Sequence, residues 1–92
     1  MQQETAEVHA LNALAWLVAE DEVLPIFLGS TGASADEVKA RAADPVFLAS
    51  ALDFILMDDA WVVACAQALN IAPDQIQLIR AALPGGDLPN WT

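Results

Sequence analysis

Carboxylates in pairs can hold a divalent ion or divide acid and base roles between them, and this chain has thirteen acids with which to do so. Their positions favour a different job. Glu4, Asp21, Glu22, Asp36, Glu37, Asp44, Asp58, Asp59 and Asp74 stand at or near predicted helix starts. There a carboxylate meets first-turn amides that lack partners and the positive end of the helix dipole, a gain of about 0.3–1 kcal/mol each. Nine of the thirteen acids are accounted for in this way, so helix capping outweighs metal binding or catalysis. Asp53 is the exception. It falls inside the most apolar stretch of the chain, where an unpaired charge is costly to bury, and Arg80 is the natural partner among only three bases. A structural ion pair between Asp53 and Arg80 is expected, because a guanidinium can meet a carboxylate through two parallel hydrogen bonds.

The remaining reactive residue types are isolated. His9, Asn12 and Trp16 share one helix face by their i, i+3, i+7 spacing, and form a candidate interaction patch to which Trp61 and Trp91 are added as aromatic anchors. The bland reading of that face is a surface histidine beside a tryptophan that covers the edge of the core. Cys65, the single cysteine, lies in a segment expected to be buried, where a thiol behaves as a small hydrophobe. One cysteine and one histidine supply neither a disulfide nor a structural zinc site. Gly85-Gly86 follow a helix rather than precede one, and so lack the amide cradle that holds phosphate. No catalytic, cofactor or metal-binding constellation emerges.

Six segments must position these residues. The first helix is expected from about Thr5 to Ala19, with Val8, Leu11, Leu14 and Val18 as its core stripe. The second opens at Asp21, tolerates Pro25 in its first turn and ends at Gly29 and Gly32. Ser34 with Glu37 forms a capping box for a polar third helix that runs to Asp44-Pro45. Asp44-Pro45 then launches a fourth helix with little polar face, and Asp58 or Asp59 caps a fifth, Trp61 to Leu69, that is nearly apolar all round. These two are expected to pair as a central apolar hairpin. Asn70 stops the fifth helix, Pro73-Asp74 starts the sixth with Ile76, Ile79 and Leu83 as its stripe, and Pro84-Gly85-Gly86 ends it. The expected architecture is all-α: a compact orthogonal or antiparallel array of five to six short helices over residues 1–86, with an extended tail at 87–92. Docking of Trp91 on its own domain is favoured over docking on a partner.

Composition limits the function classes. Ninety-two residues support one core. A net charge of −10 repels phosphate backbones and argues against nucleic acid. The greasiest region, Val46 to Leu69, is broken by Asp53, Asp58 and Asp59 and offers no run of about 18 uncharged apolar residues for a membrane span. The start, Met1-Gln2-Gln3-Glu4, lacks the basic region and apolar core of a signal peptide, so the expected compartment is the cytoplasm. At 57% hydrophobic the chain exceeds the roughly 45–50% of typical domains, which predicts apolar surface left over for a partner.

The order of motifs resembles a known family. Asp44-Pro45-Val46-Phe47-Leu48, then Leu52-Asp53-Phe54-Ile55-Leu56-Met57-Asp58-Asp59, then Ile71-Ala72-Pro73 and Arg80-Ala81-Ala82-Leu83-Pro84-Gly85 are similar to a small alphaproteobacterial family catalogued as domain of unknown function 3572. Thr31-Gly32 after the second helix also fits. Trp61 stands where that family has an aliphatic residue, and Asn70 where a glycine is usual. The resemblance implies the helical fold and a bacterial cytoplasm, and attaches no activity to any residue.

Three functions are therefore weighed. The leading one is an interaction or oligomerisation module, in which another protein or a second copy covers apolar surface left on the fourth and fifth helices. The alternative is an acidic regulatory protein that masks a partner's basic surface. An enzyme ranks last, since catalysis needs polar groups that converge.

Overall fold

The computed structural model describes residues 1–85. Gly86 and the tail, including Trp91, lie outside the described residues. Among the described residues six helices follow one another: α1 (Gln3–Ala19), α2 (Leu24–Thr31), α3 (Ala35–Arg41), α4 (Pro45–Ile55), α5 (Asp59–Leu69) and α6 (Gln75–Ala81). No strand occurs among the described residues, and none of these helices is long and apolar enough to cross a membrane.

Local chemistry sets most of the boundaries. At α3 the Ser34 hydroxyl accepts from the Glu37 amide while the Glu37 carboxylate accepts from the Ser34 amide, both at 3.2 Å, so two orphan donors are satisfied reciprocally. Asp44 accepts from the Val46 amide at 3.0 Å and precedes Pro45, whose fixed φ suits a first helical position. Asp58 accepts from the amides of Ala60 and Trp61 and caps α5. Asn70 takes a left-handed φ of 58°. The Ile71 and Asn70 amides turn back onto the carbonyls of Ala66 and Gln67, closing α5 in a Schellman arrangement. Gly32 does the same job for α2 at φ 74°.

Three expected details are corrected. Asp21 does not open α2: Glu20 to Val23 form a separate turn, with the Val23 and Leu24 amides bonded to the Glu20 carbonyl, and the helix begins at Leu24. Gly29 lies inside α2 rather than ending it. Asp74 precedes α6 without a side-chain cap, because its own backbone is already in the helical region, where the carboxylate does not face the first-turn amides.

The core is centred on α4, which buries seven of its eleven residues. Phe27 from α2 is fully buried and meets the rings of Phe47 and Phe54 edge-on at 6.0 and 5.2 Å. α1 packs most extensively on α4, and next on α5 and α6. The expected hairpin of α4 and α5 is thus not the centre of the molecule. Only Cys65 and Ala66 of α5 are buried, so it flanks the core that α1 and α4 build.

The largest correction concerns α1. Of the expected stripe only Leu14 is buried; Val8, Leu11 and Val18 are 61, 47 and 39% exposed. The buried face is Ala6, Ala10, Ala13, Leu14 and Leu17. Both sets recur at helical spacing, so periodicity alone cannot choose between them. Size decides. α4 fills the interior with Phe47, Leu48, Leu52, Phe54 and Ile55, and a close-packed interior leaves room at α1 mainly for alanine.

Candidate functional site

α1 presents two further faces besides the buried one, and both line depressions. On one, His9, Asn12 and Trp16 come together with Ala68 and Leu69 of α5 around an open groove of about 510 Å³. His9 and Trp16 are half-buried and Asn12 is exposed. The predicted patch is thus contiguous for these three residues. Trp61 does not join it. Its ring is half-buried and stacked on Phe54, with centroids 4.7 Å apart and planes 23° apart, so it serves as a cover on the core. Trp91 lies outside the described residues.

The other face carries three of the four residues expected in the core stripe, Val8, Leu11 and Val18, with Ala15 between the last two. Val8, Leu11, Ala15 and Val18 are all exposed and follow one another at intervals of three, four and three residues, the a/d repeat that seams two helices together. They border two grooves of about 280 Å³ each. One is lined by Glu4, Glu7, Val8 and Leu11 with Ala42, Ala43 and Leu48. The other is lined by Leu11, Leu14, Ala15 and Val18 with Val38, Lys39 and Ala42. Leu11 and Ala42 belong to both, so the two run on as a single trough between α1 and the segment made of α3, the turn after it and Leu48 of α4, here called the α1–α3 trough. Sequence reasoning missed this face. The signal was present in the alanines at 6, 10 and 13, a small-residue stripe that marks where backbones approach closely and pushes the bulky stripe outward.

Electrostatics round out the picture. Arg80 Nε donates to Asp53 Oδ1 at 2.6 Å, and its Nη1 donates to the Pro84 carbonyl at 3.0 Å. The guanidinium therefore ties α4 to the turn that ends α6. The carboxylate is 57% exposed and the arginine 19%, so Asp53 has both a partner and a route to water. Gly85 beyond it has a φ of 84°, a left-handed conformation that suits glycine. Arg41 lies over the Phe47 ring at 4.8 Å. Burial pushes the Cys65 thiol up to about 11, which leaves it protonated and unreactive at neutral pH. Among the described residues no three of His, Cys, Asp or Glu gather as a metal-binding group.

No curated protein and no solved structure matches the chain. The family model described as "Protein of unknown function (DUF3572)" matches residues 3–86 of the 92, nearly the whole sequence and all six helices, and the chain belongs to that family.

Proposed function

We propose that this chain is a protein-interaction module that receives a helix of another protein in the trough between α1 and α3. The observation that carries this reading is the exposed seam Val8, Leu11, Ala15 and Val18. Large aliphatic side chains at 3–4 spacing on the outside of a helix keep apolar area in water, and a facing helix recovers that area. Three of the exposed large apolar residues, Val8, Leu11 and Val18, lie together on α1, whereas Ile26, Val46, Val63 and Leu78 stand singly on α2, α4, α5 and α6.

Masking of a basic partner by net charge alone has less support. Asp44 and Asp58 are engaged in capping, and Glu4, Asp36, Glu37 and Asp59 stand in the first turns of three different helices. Photo-crosslinking tests the docking reading. A photoreactive side chain placed at Val8 of the full chain in its host cell is expected to give a discrete heavier band that Leu11→Ser abolishes. The same probe at Leu78, exposed on α6, is expected to give none. Equal bands at both positions, or no band at Val8, would reject the reading.

A further inference from the structure

The ends of the trough carry information about its occupant. Glu4 and Glu7 line the end near the start of α1, and the exposed run Glu20-Asp21-Glu22 follows the other end of the helix immediately. Lys39 is the one base among the residues bordering it. An apolar floor about three helical turns long therefore has Glu4 and Glu7 at one end and leads at the other, past Val18 and Lys39, toward the acidic run that follows α1 in the chain.

This arrangement disfavours a second copy. In an antiparallel pair across the seam, Glu4 and Glu7 of each copy meet Glu20-Asp21-Glu22 of the other. In a parallel pair each acidic end meets its own kind. Either orientation sets like charges together in molecules of net charge −10, and like-charge juxtaposition across an interface is costly. A helix with basic ends turns the same groups into attraction and faster encounter.

We infer that the α1–α3 trough takes a basic amphipathic helix of a partner protein: about three turns, aliphatic residues at 3–4 spacing on one face, and Lys or Arg beyond each end. The inference rests on the docking reading above and adds the partner's chemistry to it. Such a helix lays its aliphatic residues against Val8, Leu11 and Val18 while its terminal bases reach the carboxylates.

Fluorescence anisotropy of the full chain with labelled synthetic peptides tests it. The probe is an 18-residue helical peptide with leucine at seam positions and lysine elsewhere. Two controls accompany it: a peptide of identical composition with the leucine positions scrambled, and one with glutamate for every lysine. The lysine seam peptide is expected to bind at least tenfold more tightly than the scrambled one. Leu11→Ser and, independently, Val8→Ser should each weaken it about tenfold with unchanged circular dichroism, and the affinity should fall between 50 and 500 mM salt. The glutamate peptide is expected not to bind. Equal binding of the scrambled peptide overturns the inference, because the field of the whole chain then suffices. Equal binding of the glutamate peptide overturns the basic occupant and leaves the docking face standing. A dimer seen by light scattering at micromolar concentration and dissolved by Leu11→Ser would assign the trough to a second copy. If neither peptide binding nor oligomeric state responds to Leu11→Ser or Val8→Ser, the docking reading falls as well.

Discussion

The inward and outward faces of α1 are built from opposite materials. The inward one is alanine at 6, 10 and 13 with Leu14 and Leu17; the outward one is Val8, Leu11, Ala15 and Val18. Side-chain hydrophobicity alone would exchange them. The difference teaches that in a small domain the interior is rationed by volume: once α4 and Phe27 have filled the centre, the helix lying over them must be slim. Bulk that cannot go inside is left outside, where it is free for a partner.

The contrast breaks most clearly if Leu17, fully buried on the inward face, can be cut back without penalty. Leu17→Ala is expected to cost about 2–5 kcal/mol, since it removes buried methyl groups and leaves a cavity the neighbours only partly fill. Urea unfolding read by circular dichroism measures it. A loss under about 1 kcal/mol would mean the interior is looser than its burial indicates. The opposite change comes next. Ala10 has no exposed surface, so Ala10→Leu is expected to destabilise by about 1–3 kcal/mol through overpacking of the interior. A neutral or stabilised variant would show that volume does not set the choice of face.

The same distinction marks what could be read in advance. The Ser34–Glu37 box, the Asp44-Pro45 and Asp58 starts and the Asn70 stop were all legible, because caps are chemistry between residues two to five apart. The pairing of Asp53 with Arg80, 27 residues apart, could be suggested because so few bases exist to choose from. Which stripe of α1 faces inward is a matter of packing between helices distant in sequence, and two stripes with the same period look alike from the chain alone. The centrality assigned to α5 failed for a related reason: apolar residues all round a helix state what it could bury, while the neighbours available decide what it does bury. His9, Asn12 and Trp16 were grouped by spacing on one helix, so their contiguity was legible, but the contribution of Ala68 and Leu69 from α5 was not.

Cys65 extends the inward side of the comparison onto α5, and pH probes it. Its thiol is raised from 9.0 to about 11 by burial. Between those values the unfolded chain gives up the proton and the folded one keeps it, so stability is intact below about pH 9 and declines as pH rises toward 11. The loss is on the order of 2 kcal/mol by the end of that window. Unfolding curves at pH 8 and 10.5 are expected to diverge by more in the wild type than in Cys65→Ala. Parallel declines in the two proteins would place the thiol in contact with water.

The ion pair sits at the margin between inside and outside, and a smaller effect follows. With Asp53 more than half exposed, its attraction to Arg80 is expected to contribute no more than about 1 kcal/mol and to shrink in 1 M salt. Asp53→Asn should therefore lower the melting midpoint by a few degrees at most. Arg80→Ala should lower it further, because the Pro84 carbonyl loses its donor too. An unchanged midpoint for Asp53→Asn would remove the pair from the forces that hold α6 to α4.

The finest test uses a second alanine on the same helix. Ala15 lies in the outward seam and is exposed, whereas Ala10 lies inward. Leucine at either position is the same covalent change, with nearly the same helix propensity as alanine. At position 15 the added side chain meets the open trough instead of the closed interior, so Ala15→Leu is expected to shift stability by no more than about 0.5 kcal/mol. It should also lengthen the apolar ridge between Leu11 and Val18. The paired unfolding measurements then isolate location from chemistry: a penalty at 10 with none at 15 follows only if one face is closed and the other open. Equal penalties at both positions would mean that the trough is already occupied by the domain itself, leaving no room for a visiting helix.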